Sequence, residues 1–380
     1  MNTPADRLTR RHFVGQLSLG AAALLLASRT RAADTPPSRK LGVVLVGLGN
    51  YATTELAPAL QLTRRCRLVG VVTGEPATKG RDWARRYGFP EKNIYTYDTM
   101  HRMADNPAID IVYVVTPNAL HARDTIAAAK AGKHVISEKP MAVNVAECDA
   151  MIAACRSAGV KLSIGYRLHF DPYHQELMRL ARDPTFGPFT KINGGFAFVM
   201  GHKVWRAERK LAGGGPLMDL GIYVIQNACM AVGGPTSPGG PYVAPVAVTA
   251  REGPKTKPEM FADVEQSIQW TLEFADGAPA TGRTSYADSY NEFHDDAAHG
   301  WFEAKNAFSY NGIRARTSRG PLHFDPPVNQ QARQMDDFAE CVLANRESRV
   351  SGEMGRRDLA IIEAIYASAA AGGRRTPVRV

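Results

Sequence analysis

The chain has 380 residues, of which 44% are hydrophobic, 22% charged and 8% aromatic, and its formal net charge is +9. This composition excludes a disordered chain, a collagen-like repeat and a disulfide-dense miniprotein, and the length allows about two or three domains. Residues 1–33 contain five arginines and one aspartate, which leaves a net charge of +5 for the rest of the chain. Because this excess is small and dispersed, no nucleic acid is expected as a partner.

The first 33 residues have the pattern of an export signal. The twin arginine Arg10-Arg11 precedes an apolar stretch over 17–27, and the small residues Ala32-Ala33 follow. This order predicts a twin-arginine signal peptide over 1–33 that is cleaved near Ala32-Ala33. The protein is therefore expected in the periplasm, exported in the folded state by the twin-arginine machinery.

An amphipathic helix or a membrane anchor is the alternative interpretation of the same segment. Its apolar run is, however, shorter than the ~20 residues that span a bilayer. No later segment is long and apolar enough to do so, and no membrane is expected as a partner of the mature chain.

The five cysteines are an odd number and lack the spacing of a metal site, so no metal is expected. We interpret them as buried apolar residues rather than disulfide partners. They are Cys66, Cys148, Cys155, Cys229 and Cys341.

A dinucleotide-binding pattern opens the mature chain. A buried strand is predicted over 41–46, the sequence GLGNYA follows at 47–52, and a helix is predicted over 56–63. A GxGxxA turn between a strand and a helix lets the backbone approach a pyrophosphate at the helix N-terminus. The predicted contacts in this turn are Gly47, Leu48, Gly49, Asn50, Tyr51 and Ala52.

The end of the second predicted strand, 67–72, indicates which dinucleotide is bound. An NAD site usually has an acidic residue there, which binds the ribose 2′-hydroxyl. Here Thr73-Gly74 stands at the tip, and the cations Lys79 and Arg81 follow. These residues suit a 2′-phosphate and favour NADP over NAD, although the two cations could instead be solvated residues of a helical turn.

Alternating strands and helices continue to residue 165. Strands are predicted over 109–115, 133–137 and 161–164, and helices over 121–131 and 144–157. This alternation predicts an α/β fold with a doubly wound parallel sheet, a Rossmann domain assigned to 38–165, with ligands at the carboxyl ends of the strands.

The pattern changes after residue 165, where strands dominate. Predicted strands cover 189–199, 243–251, 264–274, 279–288, 299–304 and 307–315, and a last helix covers about 355–372. Several strands alternate apolar and polar residues, which is typical of antiparallel sheets with one solvated face. Residues 166–380 are therefore predicted to form an α+β domain with a mostly antiparallel sheet.

Several motifs together resemble the glucose–fructose oxidoreductase and inositol dehydrogenase family. They are GLGNYA at 47–52, TPN at 116–118, SEKP at 137–140, YRLHFDP at 166–172, WR at 205–206 and GGGPLMDLGIY at 213–223. Within the family the sequence is most similar to the group of glucose–fructose oxidoreductase and the exported aldose–aldose oxidoreductases. The resemblance implies a Rossmann domain followed by a large, open sheet, and a homodimer or homotetramer.

The resemblance also implies a catalytic set of Lys139, Asp219 and Tyr223. Tyr223 would transfer the proton of a sugar hydroxyl, Lys139 would favour the phenolate and contact the sugar, and Asp219 would position the sugar. Asp219 and Tyr223 are four residues apart and share a helix face. The alternative is a core-facing tyrosine and a helix-capping aspartate.

Further contacts are carried over from the family motifs. The implied cofactor contacts are Thr116, Pro117, Asn118, His121, Glu138, Lys139, Arg167, Trp205 and Arg206. The implied substrate contacts are Lys139, Asp219, Tyr223, Tyr286 and Tyr310.

The function that these features imply is a periplasmic sugar oxidoreductase with tightly bound NADP. It would oxidise an aldose at C1 to an aldonolactone and reduce a second sugar to an alditol. An NAD-dependent glycoside hydrolase on the same fold, or a non-catalytic sugar-binding relative, are the alternatives.

Overall fold

The computed structural model describes residues 39–233, 242–275 and 278–380. The predicted signal peptide, residues 1–33, lies outside the described residues. No helix in the described ranges is long and apolar enough to cross a membrane. Within the same ranges, no cluster of three or more His, Cys, Asp or Glu side chains could hold a metal ion.

The first sheet has six parallel strands in the order β3-β2-β1-β4-β5-β6. The strands are β1 Leu41–Val46, β2 Cys66–Val72, β3 Ile94–Tyr95, β4 Ile111–Val114, β5 His134–Ser137 and β6 Leu162–Ile164. Every residue of β1, β4 and β6 is buried, because helices cover both faces of the sheet. The predicted Rossmann fold is confirmed.

Helices connect these strands. They are α1 Ala57–Leu62, α2 Arg81–Tyr87, α3 His121–Lys130 and α4 Val145–Ser157. A π-helical turn, Ala52–Leu56, joins the glycine-rich turn to α1. At the start of α4 the side chain of Asn144 accepts a hydrogen bond from the Glu147 amide and caps the helix.

The second sheet has nine strands in the order β14-β13-β12-β11-β7-β10-β9-β8-β15. These are β7 Phe189–Ala197, β8 Ala247–Glu252, β9 Ser267–Glu273, β10 Ala280–Ser285, β11 Tyr290–Ala297, β12 Gly300–Lys305, β13 Arg314–Thr317, β14 Gly320–Pro321 and β15 Thr376–Pro377. All neighbouring strands are antiparallel except β7 and β10. The predicted mostly antiparallel sheet is therefore confirmed.

The remaining helices are α5 Pro172–Leu180, α6 Arg209–Ala212, α7 Ile222–Ala231, α8 Gln330–Leu343 and α9 Gly352–Ala370. All ten residues of α7 are buried, since the helix lies between the second sheet, α5 and α9. The predicted last helix is present as α9, and it begins three residues earlier than predicted.

Two sequence predictions about strands are wrong. β11 was not predicted, because only Phe293 and Asp295 of its eight residues are buried and most of its other positions are polar. A strand was predicted over 307–315, but the chain there turns at Gly312, with a φ of 69°. The apolar Phe308 is buried in this loop, where its amide donates to the Asn291 side chain.

Helix α8 was also not predicted, and it packs on the first domain. Met335, Phe338 and Cys341 of α8 share a buried cluster with Leu56 and Cys66. The Asp336 carboxylate accepts hydrogen bonds from the backbone amides of 64 and 65, which end the turn before β2. The chain therefore returns to the Rossmann domain within the range assigned to the second domain.

All five cysteines are buried free thiols, and their predicted burial is confirmed.

Candidate functional site

The turn at 47–52 leaves space for a ligand beside its backbone. Gly47 has a φ of +94°, and a Cβ there would lie 3.0 Å from the Thr116 methyl carbon. A Cβ on Gly49 would meet no atom within 4 Å. The glycines therefore provide a tight turn and an open approach, and these residues fit the pyrophosphate of a dinucleotide.

The residues after β2 that were predicted to bind a 2′-phosphate differ in their protein contacts. Thr73 is buried, and its hydroxyl accepts a hydrogen bond from the Glu75 amide. The Lys79 ammonium is partly exposed and lies 4.0 Å from the Glu75 carboxylate, two residues beyond Thr73. The Arg81 guanidinium instead binds Glu91 at 3.1 Å, away from the tip. Thr73, Gly74 and Lys79 therefore remain the candidate contacts of a 2′-phosphate.

The side chains at the end of β4 are engaged by protein. Thr116 donates to Asp124 at 2.9 Å, and Asn118 donates to the Ala212 carbonyl at 2.9 Å. The ring nitrogens of His121 lie 2.8 Å from the Thr116 carbonyl oxygen and 2.9 Å from that of Pro140. Burial lowers the pKa of His121, although its two carbonyl contacts act in the opposite direction.

Asn118 and His121 both connect separate elements of the protein. His121 is 1% exposed and links the ends of β4 and β5, and Asn118 links the first domain to α6. Pro117 begins the short 3₁₀ turn between them.

Lys139, Asp219 and Tyr223 meet between the two domains. The Lys139 ammonium donates to the Asp219 backbone carbonyl at 2.8 Å and lies 3.4 Å from its carboxylate. The same nitrogen lies 4.6 Å from the centre of the Tyr223 ring. At the carboxyl end of β5, Lys139 thus meets two residues that follow it by 80 or more positions in the chain.

The Asp219 carboxylate is held by three groups. Besides Lys139, the Arg206 guanidinium lies 3.2 Å away and the Tyr286 hydroxyl donates at 3.1 Å. Burial raises the pKa of Asp219, but Lys139 and Arg206 outweigh burial and hold the pKa below its usual range. Asp219 is therefore an ionised, oriented acceptor.

Tyr286 and the WR pair surround this carboxylate. Tyr286 is 1% exposed, so its hydroxyl supports Asp219 rather than opening to a substrate. Arg206 lies 4.6 Å above the Trp205 ring, which fixes the guanidinium beside Asp219. Arg206 was predicted to contact the cofactor, and its guanidinium here pairs with the Asp219 carboxylate.

A buried glutamate that the sequence did not indicate shapes the turn bearing Asp219. The Glu265 carboxylate accepts hydrogen bonds from the amides of Gly215 and Leu217 and from the Tyr366 hydroxyl, at 2.8 to 3.0 Å. A Cβ on Gly215 would lie 2.3 Å from the Glu265 carbonyl oxygen. The GGGP motif therefore lets the chain pass close to Glu265.

The turn itself is π-helical over Leu217–Gly221 and continues into α7. Pro216 precedes it in a helical conformation, as expected for the residue that begins a helix. Asp219 and Tyr223 both face Lys139, as their spacing predicted.

Glu138 is the buried neighbour of Lys139. Its carboxylate accepts from the Tyr113 hydroxyl at 2.7 Å and from the Lys139 amide at 3.2 Å. A Cβ on Gly165 would lie within 2.7 Å of this carboxylate, so only glycine fits there. Burial raises the pKa of Glu138. Tyr113 and Gly165 were not indicated by the sequence, because their partner is known only from the fold.

Arg167 and Tyr310 lie on the opposite side of Tyr223. The Arg167 guanidinium is 5.0 Å from the centre of the Tyr223 ring and 4.4 Å from that of Tyr310. Arg167 is 2% exposed, so protein encloses the side chain that was predicted to contact the cofactor. Tyr310 is 41% exposed and contacts the ring of Tyr51 in the glycine-rich turn.

Two family models match the chain. The model described as an oxidoreductase family with an NAD-binding Rossmann fold covers residues 41–166, and the GFO/IDH/MocA C-terminal domain covers 174–304.

Among curated proteins, the D-xylose 1-dehydrogenase [NADP(+)] of Haloarcula marismortui is 26% identical over 350 residues, covering 88% of this chain and 92% of the relative. The trans-1,2-dihydrobenzene-1,2-diol dehydrogenase of Mus musculus is 31% identical over 193 residues, covering 50% of this chain and 56% of the relative.

Two solved structures extend the comparison. The aldose–aldose oxidoreductase from Caulobacter crescentus, complexed with glycerol, superposes with a TM-score of 0.83 at 42% identity, covering 89% of this chain and 100% of that one. Levoglucosan dehydrogenase, in complex with NADH and levoglucosan, has a TM-score of 0.76 at 21% identity, covering 90% and 100%. At that identity the second match supports the fold alone.

Proposed function

The chain belongs to the GFO/IDH/MocA family of oxidoreductases, and from this premise we propose that it couples the oxidation of one sugar to the reduction of another on a single retained NADP. It is a sugar oxidoreductase with an NAD(P)-binding Rossmann domain. The proposal adds the reaction: an aldose is oxidised at C1 to an aldonolactone, and a second sugar is reduced to an alditol.

The observation that carries the proposal is the convergence of Lys139, Asp219 and Tyr223 beside the cofactor turn. The bound dinucleotide would accept a hydride from one sugar and return it to the next. The Tyr223 hydroxyl oxygen would take the sugar hydroxyl proton during oxidation and give it back during reduction. The Lys139 ammonium would donate to the reacting oxygen, and the Asp219 carboxylate would orient a neighbouring hydroxyl.

The preference for NADP rests on the tip of β2. Thr73 and Gly74 are not acidic, and the nearest carboxylate in sequence, Glu75, has the Lys79 ammonium 4.0 Å away. A phosphate on the adenosine ribose would find a cation there, whereas an NAD site usually offers an acid. The two NADP-dependent xylose dehydrogenases among the relatives agree with this preference.

In this proposal, export of the protein explains why its cofactor must be retained. The twin arginine at 10 and 11 predicts transport of the folded protein to the periplasm. An exported enzyme cannot exchange its cofactor with the cytoplasmic pool, so recycling by a second sugar removes the need for exchange. Protein purified from the periplasm should carry one nucleotide per chain, and replacing Arg10-Arg11 by Lys-Lys should leave it in the cytoplasm with the nucleotide still bound.

The open face of the second sheet supports a homodimer or a homotetramer. Outward side chains such as Gln269, Thr281 and Arg283 are exposed on β9 and β10, and Glu292 and His294 are half-buried on β11. Light scattering of the purified protein measures the assembly, and a monomer at micromolar concentration would contradict it.

The experiment that tests the proposed reaction is a two-sugar incubation without added cofactor. Glucose together with fructose or a second aldose should yield an aldonic acid, from the hydrolysed lactone, and an alditol in equal amounts. The products are identified by mass and chromatography. Release of nitrophenol from an aryl glycoside without net oxidation would instead indicate a glycoside hydrolase, and no product with sugar still bound would indicate a binding protein.

A further inference from the structure

An aromatic ring borders the end of β2. Tyr97 begins a 3₁₀ helix, Tyr97–Asp105, and the Thr96 side chain caps that helix in a capping box with Thr99. A Cβ on Gly74 would lie 4.0 Å from a ring carbon of Tyr97. The ring is therefore held beside the end of β2, where a Rossmann fold binds the ribose of the adenosine.

A guanidinium lies against this ring. The central carbon of the Arg123 guanidinium is 5.3 Å from the centre of the Tyr97 ring, within the range of a cation–π contact. Arg123 belongs to the first turn of α3, which packs on the 3₁₀ helix that bears Tyr97. The Arg123 side chain is 55% exposed and Tyr97 is half-buried, so part of the surface of this pair is accessible to a ligand.

The charge of Arg123 is balanced within the protein. Its Nε and Nη2 both lie 2.8 Å from Oδ1 of Asp124, whose side chain is 1% exposed. The other carboxylate oxygen, Oδ2, accepts a hydrogen bond from the Thr116 hydroxyl at 2.9 Å. Because Asp124 supplies the anion and fixes the guanidinium plane, the flat face of Arg123 suits a base better than its charge suits a phosphate.

These contacts join the ends of three strands. Thr116 follows β4, and a Cβ on Gly47, in the turn after β1, would lie 3.0 Å from its methyl carbon. The contacts run in the order Gly47, Thr116, Asp124, Arg123, Tyr97 and Gly74. They form a continuous wall from the glycine-rich turn to the end of β2.

The part of a dinucleotide that extends along this wall is its adenosine. The pyrophosphate is expected at the turn 47–52, and the adenosine ribose at the end of β2. The adenine base is bonded directly to that ribose. The accessible surface of Arg123 and Tyr97 is therefore expected beside the base.

We propose that Tyr97 and Arg123 form a platform on which the adenine of the bound dinucleotide packs. Planar bases stack on aromatic rings and on guanidinium planes. Lys79 would contact the 2′-phosphate that distinguishes NADP from NAD, whereas the platform contacts the base that both cofactors share. The inference rests on the proposed function for the NADP that is retained, but the binding of adenosine nucleotides is measured without any sugar.

The test is calorimetric titration of the full-length, nucleotide-free protein with 5′-AMP and with 2′,5′-ADP. Tyr97→Leu should weaken both nucleotides by the same factor, at least about fivefold, which is the loss expected for one base stacked on one ring. Arg123→Lys should do the same, because lysine keeps a cation beside Asp124 but has no flat face. Tyr97→Phe keeps the ring and should bind both nucleotides as the unaltered protein does.

Two controls separate the platform from other effects. The Arg86 guanidinium lies 5.4 Å from the ring centre of Tyr87, at the C-terminal end of α2, so this matched pair stands outside the cofactor site. Arg86→Lys and Tyr87→Leu should leave both affinities unchanged. Lys79→Ala should weaken 2′,5′-ADP and leave 5′-AMP nearly unchanged, because only 2′,5′-ADP carries the 2′-phosphate.

The inference is overturned if Tyr97→Leu and Arg123→Lys bind 5′-AMP as tightly as the unaltered protein. It is also overturned if they weaken 2′,5′-ADP alone, since the pair would then bind the phosphate and not the base. If 5′-AMP binding is independent of the platform while the two-sugar reaction proceeds, the inference fails and the proposed function stands. If 5′-AMP binding requires the platform but no sugar is oxidised, the proposed function fails and the inference stands.

Discussion

At the scale of single residues, the two cations after β2 differ in how closely a protein carboxylate pairs with them. The Lys79 ammonium lies 4.0 Å from the Glu75 carboxylate, whereas the Arg81 guanidinium, two residues later, pairs with Glu91 at 3.1 Å. Comparing variants of these two cations therefore distinguishes a specific contact with the 2′-phosphate from a general effect of positive charge.

Lys79→Ala should weaken NADP binding about tenfold more than NAD binding, since an exposed charge-assisted contact contributes about 1.5 kcal/mol. Arg81→Ala, the matched control, should change both affinities equally and little. Thr73→Asp should reverse the preference, because a carboxylate there repels the 2′-phosphate. Fluorescence titration of nucleotide-free protein with both cofactors measures these constants, and equal losses for NADP and NAD in Lys79→Ala would contradict the assignment.

A buried acid on β11 gives a prediction about stability. Asp295 is fully buried, accepts from Asn227 and from the Asn193 amide, and burial raises its pKa well above the usual range. The Asn227 side-chain oxygen has no partner, so a protonated acid at 295 could donate to it.

The folded protein binds this proton more tightly than the unfolded chain. The stability that Asp295 contributes is therefore complete below its unfolded pKa of about 4 and is lost as the pH rises through the raised folded value. Asp295→Asn should gain thermal stability relative to the unaltered protein as the pH rises. Melting curves across the pH range measure the difference, and a difference independent of pH would contradict this account.

At the scale of elements, the site depends on a turn whose shape is set by Glu265, in the loop just before β9. Glu265 binds the amides at the start of the 217–221 turn, and that turn aims Asp219 at Lys139. Glycine is needed before the turn because the chain passes close to Glu265 there, and not because the chain must be flexible.

Gly215→Ala should therefore damage the site, because its Cβ would lie 2.3 Å from the Glu265 carbonyl oxygen. Overpacking of this kind costs about 1–3 kcal/mol, and kcat/KM should fall at least about tenfold through displacement of Asp219. Gly201→Ala is the control, since a Cβ there meets no atom within 4 Å. Equal activities for the two variants would show that Glu265 does not determine the shape of the turn.

The parts of the fold that were predicted from the sequence are those encoded by neighbouring residues. Buried strands such as β1 and β4 are continuous apolar runs, and the glycine turn follows β1 directly. β11 escaped prediction because its outward side chains are polar. α8 does carry a local signal that was missed, namely the Asn329 cap and the buried apolar residues Met335, Phe338 and Ala339 at helical spacing.

The residues of the candidate site likewise divide into those with a local sequence signal and those without one. The family motifs identified Lys139, Asp219 and Tyr223, which the fold brings together. Supporting groups such as Glu265 and Gly165 have no local signature, because their function is defined by a partner from another element.

At the scale of the whole molecule, α8 joins the two halves of the chain. Met335 is fully buried in the cluster that contains Leu56 and Cys66 of the first domain, although α8 follows the second sheet in sequence. The core of the Rossmann half is therefore completed by a helix that follows the second sheet in sequence.

Met335→Ala should destabilise the protein by about 2–5 kcal/mol. Because α8 links the halves, calorimetry should show one unfolding transition that shifts as a whole to lower temperature. Leu343→Ala is the control, since Leu343 is 50% exposed on the same helix and should change the transition little. Two separate transitions, only one of which moves, would mean that the halves unfold independently.

The most direct test of the central claim follows a single hydride from one sugar to the other. The purified protein, without added cofactor, is incubated with an aldose deuterated at C1 and an unlabelled second sugar, and the alditol is analysed by mass spectrometry. The account predicts one deuterium on the newly reduced carbon of the alditol, and no labelled alditol from Tyr223→Phe. Turnover that yields an unlabelled alditol, or an oxidised aldose without any alditol, would contradict the account.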